Sequence, residues 1–302
     1  MKLTLSPRAM IVIAMATFGT LGLFVRNISV SSGELALYRA ILAALLISGF
    51  LLATKQPIPL ASAKKEIPLL LASGIAMGIN WILLFEAYRY TSVSIATLSY
   101  YFAPVIVTLA CPILFRERLT PKQIACFAMS TLGLVMITGI GGGGGQDFIG
   151  VLFGLGAAVF YATVILLNKF IKSVSGVHRT LLQFLAAIII LIPYVALTSG
   201  ITLSSLNAPG WVCLLIVGLV HTGIMYCLYF SAIKDLPGQK VAILSYVDPL
   251  VAVLISVTIL GESMTLWQVV GGALILGFTL WNELPSKAEK QSEEAEAPSA
   301  SS

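Results

Sequence analysis

Charge is what this chain has least of. Asp, Glu, Lys and Arg make up 10% of its 302 residues, 18 basic and 13 acidic, where a soluble domain carries about 25%. So few charges cannot cover a water-facing surface. The basic surplus is scattered, with no run longer than the pair Lys64 and Lys65, and this excludes the footprint of a nucleic-acid partner. The four cysteines, Cys111, Cys126, Cys213 and Cys227, lie in apolar segments without paired spacing, which argues against a disulfide framework or a zinc site. HExxH, GxSxG and paired intramembrane aspartates are missing too, so the chain is not read as an enzyme. Five consecutive glycines at 141–145 lead into Gln146 and Asp147 rather than GKS or GKT, so they read as a flexible connection and not a nucleotide loop. No cofactor is expected.

What is present is apolar length. Hydrophobic residues reach 58%, and residues 90–115, 123–146, 148–168 and 180–233 contain no charged side chain. Turn chemistry at 198–210, TSGITLSSLNAPG, splits the longest of these intervals. Apolar windows read against breakers predict ten spans at 9–27, 34–53, 67–88, 93–115, 120–139, 148–169, 178–198, 209–232, 239–260 and 265–283. Each suffices for a helix, which needs about 20 residues to cross lipid. Barrel strands would alternate over about 10 residues; these stretches do not. The first span is too long to read as a cleaved leader.

The bases orient the bundle. With the N-terminus in the cytoplasm, 15 of 18 basic residues fall on the cytoplasmic side, Arg26 and Arg89 fall opposite, and Arg39 lies within span two. This asymmetry predicts both termini inside. The acidic, Ser- and Ala-rich tail at 284–302 is expected to be disordered.

The chain also repeats itself. ATLSYYFAP at 96–104 matches AILSYVDP at 242–249, and Pro104 and Pro249 are 145 positions apart, as are Glu117 and Glu262. The repeat unit holds five spans, an odd number, so the second copy must enter the membrane upside down. The expected architecture is an all-α membrane protein with ten transmembrane helices in two inverted five-helix repeats, 1–139 and 148–283. Such repeats supply two mirrored conformations and alternating access to a midplane site. That favours a secondary transporter over a channel, which has no need of mirrored states.

The span-two opening GELALYRAILAALL at 33–46, APV at 103–105 with FRERLTPKQIACFAMSTLGLVMI at 115–137, and the echo LSYVDPLVAVLISVTILGESMTLWQVVGGALILG at 244–277 resemble the drug/metabolite transporter superfamily and, within it, the EamA family. The resemblance covers about residues 10–283. It implies a prokaryotic inner-membrane protein that moves a small metabolite, often exporting amino acids or related compounds, with uptake as the alternative direction. It does not identify the solute. The expected partners are that solute, protons as an open coupling choice, and lipid. The chain is expected to act as a monomer or weak homodimer.

Ionisable and polar groups in hydrocarbon are costly and mark candidate sites. Arg39 can bind a substrate carboxylate, or carry its guanidinium back to the headgroups. Asp248, near the middle of span nine before Pro249, sits where a kinked helix can handle cations, protons or ammonium groups; Ala103 occupies its place in span four. Asn80 and Trp81 are expected to line a cavity. Tyr100, Tyr101, Tyr161, Tyr226 and Tyr246 place phenols within or near the spans, with Tyr100 and Tyr246 expected to face each other across the halves. His221 in span eight is a proton-sensitive candidate gate, and Glu86 is expected to pair with Arg89. Gly74 with Gly78, and Gly150 with Gly154, are expected to let helices approach closely.

Overall fold

The computed structural model describes residues 5–56, 64–115, 119–137, 145–174, 176–233, 235–236 and 238–284. Most of the glycine run at 141–145, the bases Arg116 and Arg118, Glu117, and the tail from 285 onward lie outside the described residues. Among those described there is helix and no strand.

Among the described residues, fourteen α-helices form the first to tenth spans. The first half contains α1 (Pro7–Gly19) with α2 (Leu21–Val25), α3 (Ser32–Ala53), α4 (Ile67–Tyr90), α5 (Val93–Tyr100) with α6 (Ala103–Phe115), and α7 (Pro121–Val135). The second contains α8 (Gly145–Phe170), α9 (Gly176–Thr198), α10 (Ala208–Leu215) running through a π-helical stretch (Ile216–Ile224) into α11 (Met225–Ile233), α12 (Gly238–Ser245) with α13 (Val247–Thr258), and α14 (Leu266–Glu283).

Among the described residues, seven stretches are individually long and apolar enough to cross a membrane: Pro7–Val25, Ser32–Ala53, Lys64–Tyr90, Val93–Ala110, Asp147–Phe170, Gly176–Thr198 and Ala208–Ala232. Spans five, nine and ten fall short, each for a visible reason. The α7 helix has 15 residues, and the expected end of its span at 139 lies outside the described residues. Of span nine, whose approach at 237 lies outside the described residues, Ile243–Thr258 is the apolar helix, shorter than the rest. Gln268, Asn282 and Glu283 dilute the ends of α14.

The two halves are related through their packing. Span two lies on span seven, span four on span nine, and span five on span ten. Span three packs on spans six and seven, as span eight packs on spans one and two; span four lies on span six as span nine lies on span one. Exchanging each span for the one five places along maps these principal contacts onto themselves. Local chemistry repeats with the same offset of 145. Thr120 with Gln123 and Thr265 with Gln268 form capping boxes at the starts of α7 and α14, each satisfying two orphan backbone donors. Where α7 and α14 cross, a Cβ on Gly133 would stand 2.5 Å from the Gly271 carbonyl oxygen, and one on Gly271 would stand 2.5 Å from that of Gly133. Only glycine permits backbones so close.

The largest core joins spans two, three, seven and eight. On α3 the face Ala36, Ala40, Ala43 and Ala44 is buried, a small-residue stripe at helical spacing that admits its neighbours. The glycine expectations hold in part through the same physics: a Cβ on Gly74 would meet the Gln183 carbonyl, and one on Gly150 would meet Thr91. Gly154 similarly lies against Ser99, whereas Gly78 has ordinary room beside Leu191. Outward, Leu52 is 80% exposed and Leu197 86%. In a protein with a mean hydropathy of +0.97, that apolar exterior is solvated by lipid.

Candidate functional site

The site is built from two helix irregularities and one charged residue on a regular helix. Span four breaks at Tyr101 (φ −71°, ψ 6°) and span nine at Tyr246 (φ −70°, ψ −9°). These two residues, 145 apart, are the structural equivalents. The sequence pairing of Tyr100 with Tyr246 is therefore corrected, because the extra residue between LSY and Pro104 shifts the register by one. Tyr101, not Tyr100, meets Tyr246: their ring centroids are 6.4 Å apart, while Tyr100 packs on Tyr161 of span six at 5.2 Å.

Asp248 and Pro249 occupy the first turn of α13, just past the break. Pro249 is thus not a mid-helix kink, as the sequence implied. In the first turn a backbone N–H has no intrahelical partner, so proline removes nothing there. Asp248 is half-buried, and its Oδ2 accepts a 2.7 Å hydrogen bond from the Tyr101 hydroxyl. Among the described residues, no cation lies within ion-pair distance of it and Oδ1 has no hydrogen-bond partner. A Cβ on Gly19 would stand 2.5 Å from the Asp248 carbonyl oxygen, so span one holds this turn tightly.

Arg39 does not return to the headgroups. It is 3% exposed, with its guanidinium carbon 4.4 Å from the Trp81 ring centroid and 5.4 Å from that of Phe85. Its Nε donates to Thr222 Oγ1 at 2.8 Å. Thr222 can accept because its own hydroxyl donates to the Val217 carbonyl at 2.8 Å, five residues back in the π-helical stretch. Widened turns of this kind recur at functional positions. Among the described residues, no carboxylate pairs with Arg39, and neither Nη1 nor Nη2 has a hydrogen-bond partner.

Aromatic rings flank each charge. From Arg39 the wall runs through Trp81, Phe184 and Tyr226, with centroid separations of 5.4 and 5.5 Å. From Asp248 it runs through Tyr101 to Tyr100, 5.8 Å apart.

The remaining candidates have other tasks. The Asn80 amide donates to the Ala157 carbonyl at 2.6 Å, tying span three to span six. His221 is buried, with Nε2 2.8 Å from Thr20 Oγ1 and Nδ1 3.3 Å from the Ile216 carbonyl. It links the π-helical stretch to the break at Thr20 in span one. Arg89 donates to Glu86 at 3.1 Å, as the spacing implied.

Sequence reasoning passed over three other features. A cavity of about 650 Å³ lies at the end of the bundle where span three finishes, lined by Arg26, Ser32, Glu34, Phe85, Tyr88 and Thr202 among others. Phe85 separates it from Arg39. Glu34, fully buried, accepts from the Thr202 backbone N–H at 2.7 Å and from the Thr202 hydroxyl, joining the two halves beside the cavity. Glu262 does the same across spans four and nine: its Oε2 accepts from the Val93 N–H at 2.9 Å and from Ser256, while Oε1 stands 2.7 Å from Arg26 Nη2. The repeat exposed Glu262 as a matched position, but nothing in the sequence located Thr222, whose role depends on π geometry.

An apolar bundle of two inverted five-helix repeats, enclosing a buried cation and a carboxylate at a helix break, defines a membrane transporter. A model of the EamA-like transporter family matches residues 7–139 and 148–282, and the chain belongs to that family, within the drug/metabolite transporter superfamily. It is 32% identical to the uncharacterized transporter YxxF of Bacillus subtilis (strain 168), over 87% of this chain and 85% of that one. An uncharacterized transporter of Archaeoglobus fulgidus is 27% identical over 91% and 96%. The threonine/homoserine exporter RhtA of Salmonella typhimurium is 25% identical over 80% and 79%. A solved crystal structure matches with a TM-score of 0.64 at 18% identity, covering 91% of this chain and 96% of that one, a likeness of fold alone.

Proposed function

We propose that this transporter exports amino acids or closely related metabolites by alternating access, with residues 1–139 and 148–283 as the two units that move against each other. The observation that carries the reading is a pair of charges without a counter-charge among the described residues: Arg39, buried in one repeat, and Asp248, half-buried at the helix break of the other. Each desolvated charge costs several kcal/mol unless something compensates it, so a fold that keeps both has a use for them. The relative that exports threonine and homoserine supports the solute class. The scarcity of bases at the Arg26 and Arg89 end supports placing that end outside a prokaryotic inner membrane, with both termini in the cytoplasm. The 650 Å³ cavity is then an external vestibule with Phe85 in its floor, the route by which solute leaves.

Counterflow in proteoliposomes against a mixed amino-acid pool, read by mass spectrometry, tests the solute class. Exchange of at least one amino acid is expected, and exchange of none would overturn it. Loading the pool on the inside or the outside of vesicles with known protein orientation tests direction. Reporter fusions at 28–30 are expected to report an external location.

A further inference from the structure

We infer that Arg39 is a carboxylate seat just behind the floor of the 650 Å³ cavity, and that Thr222, from the other repeat, is the positioning residue that turns its Nη edge to the solute. The seat rests on the proposed amino-acid reading and adds to it the group by which the solute is held and the residue that orients the holder.

Packing brings Thr222 to Arg39. Leu42 and Leu46 follow Arg39 by three and seven residues, so all three share one face of α3. That face lies on the π-helical stretch: a Cβ on Gly218 would stand 2.5 Å from Leu42 Cδ1, and one on Gly223 would stand 3.3 Å from Leu46. The missing side chain at 218 lets span eight come close enough for Thr222 to meet Nε at 2.8 Å. A hydroxyl has one proton, and Thr222 spends it on the Val217 carbonyl. Toward Arg39 it can only accept, which fixes Nε as the donor and sets the plane of the guanidinium. Trp81 and Phe85, one turn apart on α4, hold the same group with their rings, at 4.4 and 5.4 Å from its carbon.

Held this way, the guanidinium keeps one free edge, its two Nη groups. Arg39 is not among the described residues with a fully enclosed, unpartnered polar atom, so that edge borders space. Coplanar paired donors match a planar carboxylate through two parallel hydrogen bonds. No carboxylate among the described residues forms an ion pair with Arg39: Glu34, five residues earlier on α3, is turned to Thr202, and Glu262 to Arg26. A buried cation left so is costly, and a solute carboxylate removes the cost. The cavity supplies the approach. Its lining includes Phe85, whose ring lies on the guanidinium, and Leu35, one turn before Arg39 and about 6 Å from it along the helix.

Trp81 can report on the seat. Trp211→Phe, Trp267→Phe and Trp281→Phe together leave it the sole indole, and pairing of the guanidinium beside it should appear as a saturable shift of its emission in purified protein. The probes are the standard amino acids, their carboxamides, the matching α-hydroxy acids, and sodium chloride and phosphate. Amino acids and hydroxy acids should shift Trp81 at concentrations on the order of tenfold or more below those of the carboxamides. Arg39→Gln and Thr222→Val should each erase that preference, and Thr222→Ser, which keeps the acceptor, should retain it. If Arg39→Gln is not monodisperse, the two Thr222 variants carry the test, read also as protection against heat. A merely structural Thr222 would weaken every probe alike, and that result would overturn its positioning role. Carboxamides as effective as the acids would overturn the carboxylate seat, as would chloride or phosphate as effective as the acids. Amino-acid counterflow without a carboxylate preference sinks this inference alone. Hydroxy acids bound and exchanged while amino acids are neither would keep the seat and sink the amino-acid reading. Absence of binding and exchange for every carboxylate sinks both.

Discussion

Spans four and nine break at equivalent residues, Tyr101 and Tyr246, with nearly equal backbone angles, and both carry a proline in the first turn beyond. Yet the residue before the proline is Ala103 in one and Asp248 in the other. The backbone device is shared by the halves, and the charge is not. Two mirrored conformations require the first property, because each half must be able to take the other's shape. A site that distinguishes the two ends of a solute requires the second. The comparison separates what in this protein serves switching from what serves binding.

The largest expected effect comes from moving the charge across that comparison. Asp248→Ala should lower amino-acid counterflow by about a hundredfold, corresponding to roughly 3 kcal/mol for losing the partner of a buried charge. Adding Ala103→Asp to that variant returns a carboxylate at the equivalent break from the opposite half. If the two breaks face one space, counterflow should recover by about tenfold. No recovery would mean the breaks are equivalent in backbone only. Next in size, Glu262→Gln strikes the cap that joins them. It removes the ion pair with Arg26 and weakens the hydrogen bond from Val93 N–H, so stability should fall by about 1–3 kcal/mol, read as earlier loss of the monodisperse peak on heating. An unchanged melting profile would show that the two spans are held elsewhere.

Much of this was legible from residues alone. The repeat offset of 145, read from Pro104 and Pro249, also relates Tyr101 to Tyr246 and the two capping boxes. Apolar run length gave the helices, because lipid imposes length directly on sequence. Side-chain partners were harder. Arg39 looked shallow along its helix, but depth along one helix does not say whether a neighbour covers the face, and Trp81 and Phe85 do. Asn80 carried a polar signal correctly and pointed it at the wrong target, since a buried backbone carbonyl on α8 needs a donor as much as a solute does. Thr222 was invisible because a π turn shifts by one residue which side chains share a face.

The smaller effects concern how tightly the halves are pressed together. Gly133→Ala places a Cβ 2.5 Å from the Gly271 carbonyl oxygen, a backbone atom that cannot move aside alone. Spans five and ten should separate slightly, at about 1–3 kcal/mol of stability. Gly277→Ala, on the same helix as Gly271 but with nothing within 4 Å, is the control and should be neutral or stabilising by up to about 1 kcal/mol. Equal melting temperatures for the two would deny that the glycine crossing holds the halves.

Pro249→Ala should have the least effect of all. If the proline itself made the bend, alanine would restore a ladder bond and straighten span nine. But Tyr246 already ends the first segment, and Pro249 follows in a turn whose N–H groups have no helical acceptor. Alanine adds a donor there without requiring a new backbone path. Transport should stay within about threefold of wild type, under 1 kcal/mol in the barrier, with the counterflow rate as the measure. Pro193 makes the useful contrast, since it lies inside α9, where proline does remove a helical hydrogen bond and crowd the preceding turn. Pro193→Ala should therefore alter the switching rate more than Pro249→Ala. A slow Pro249→Ala beside an unaffected Pro193→Ala would return the bend of span nine to its proline and take it away from the shared break at Tyr101 and Tyr246.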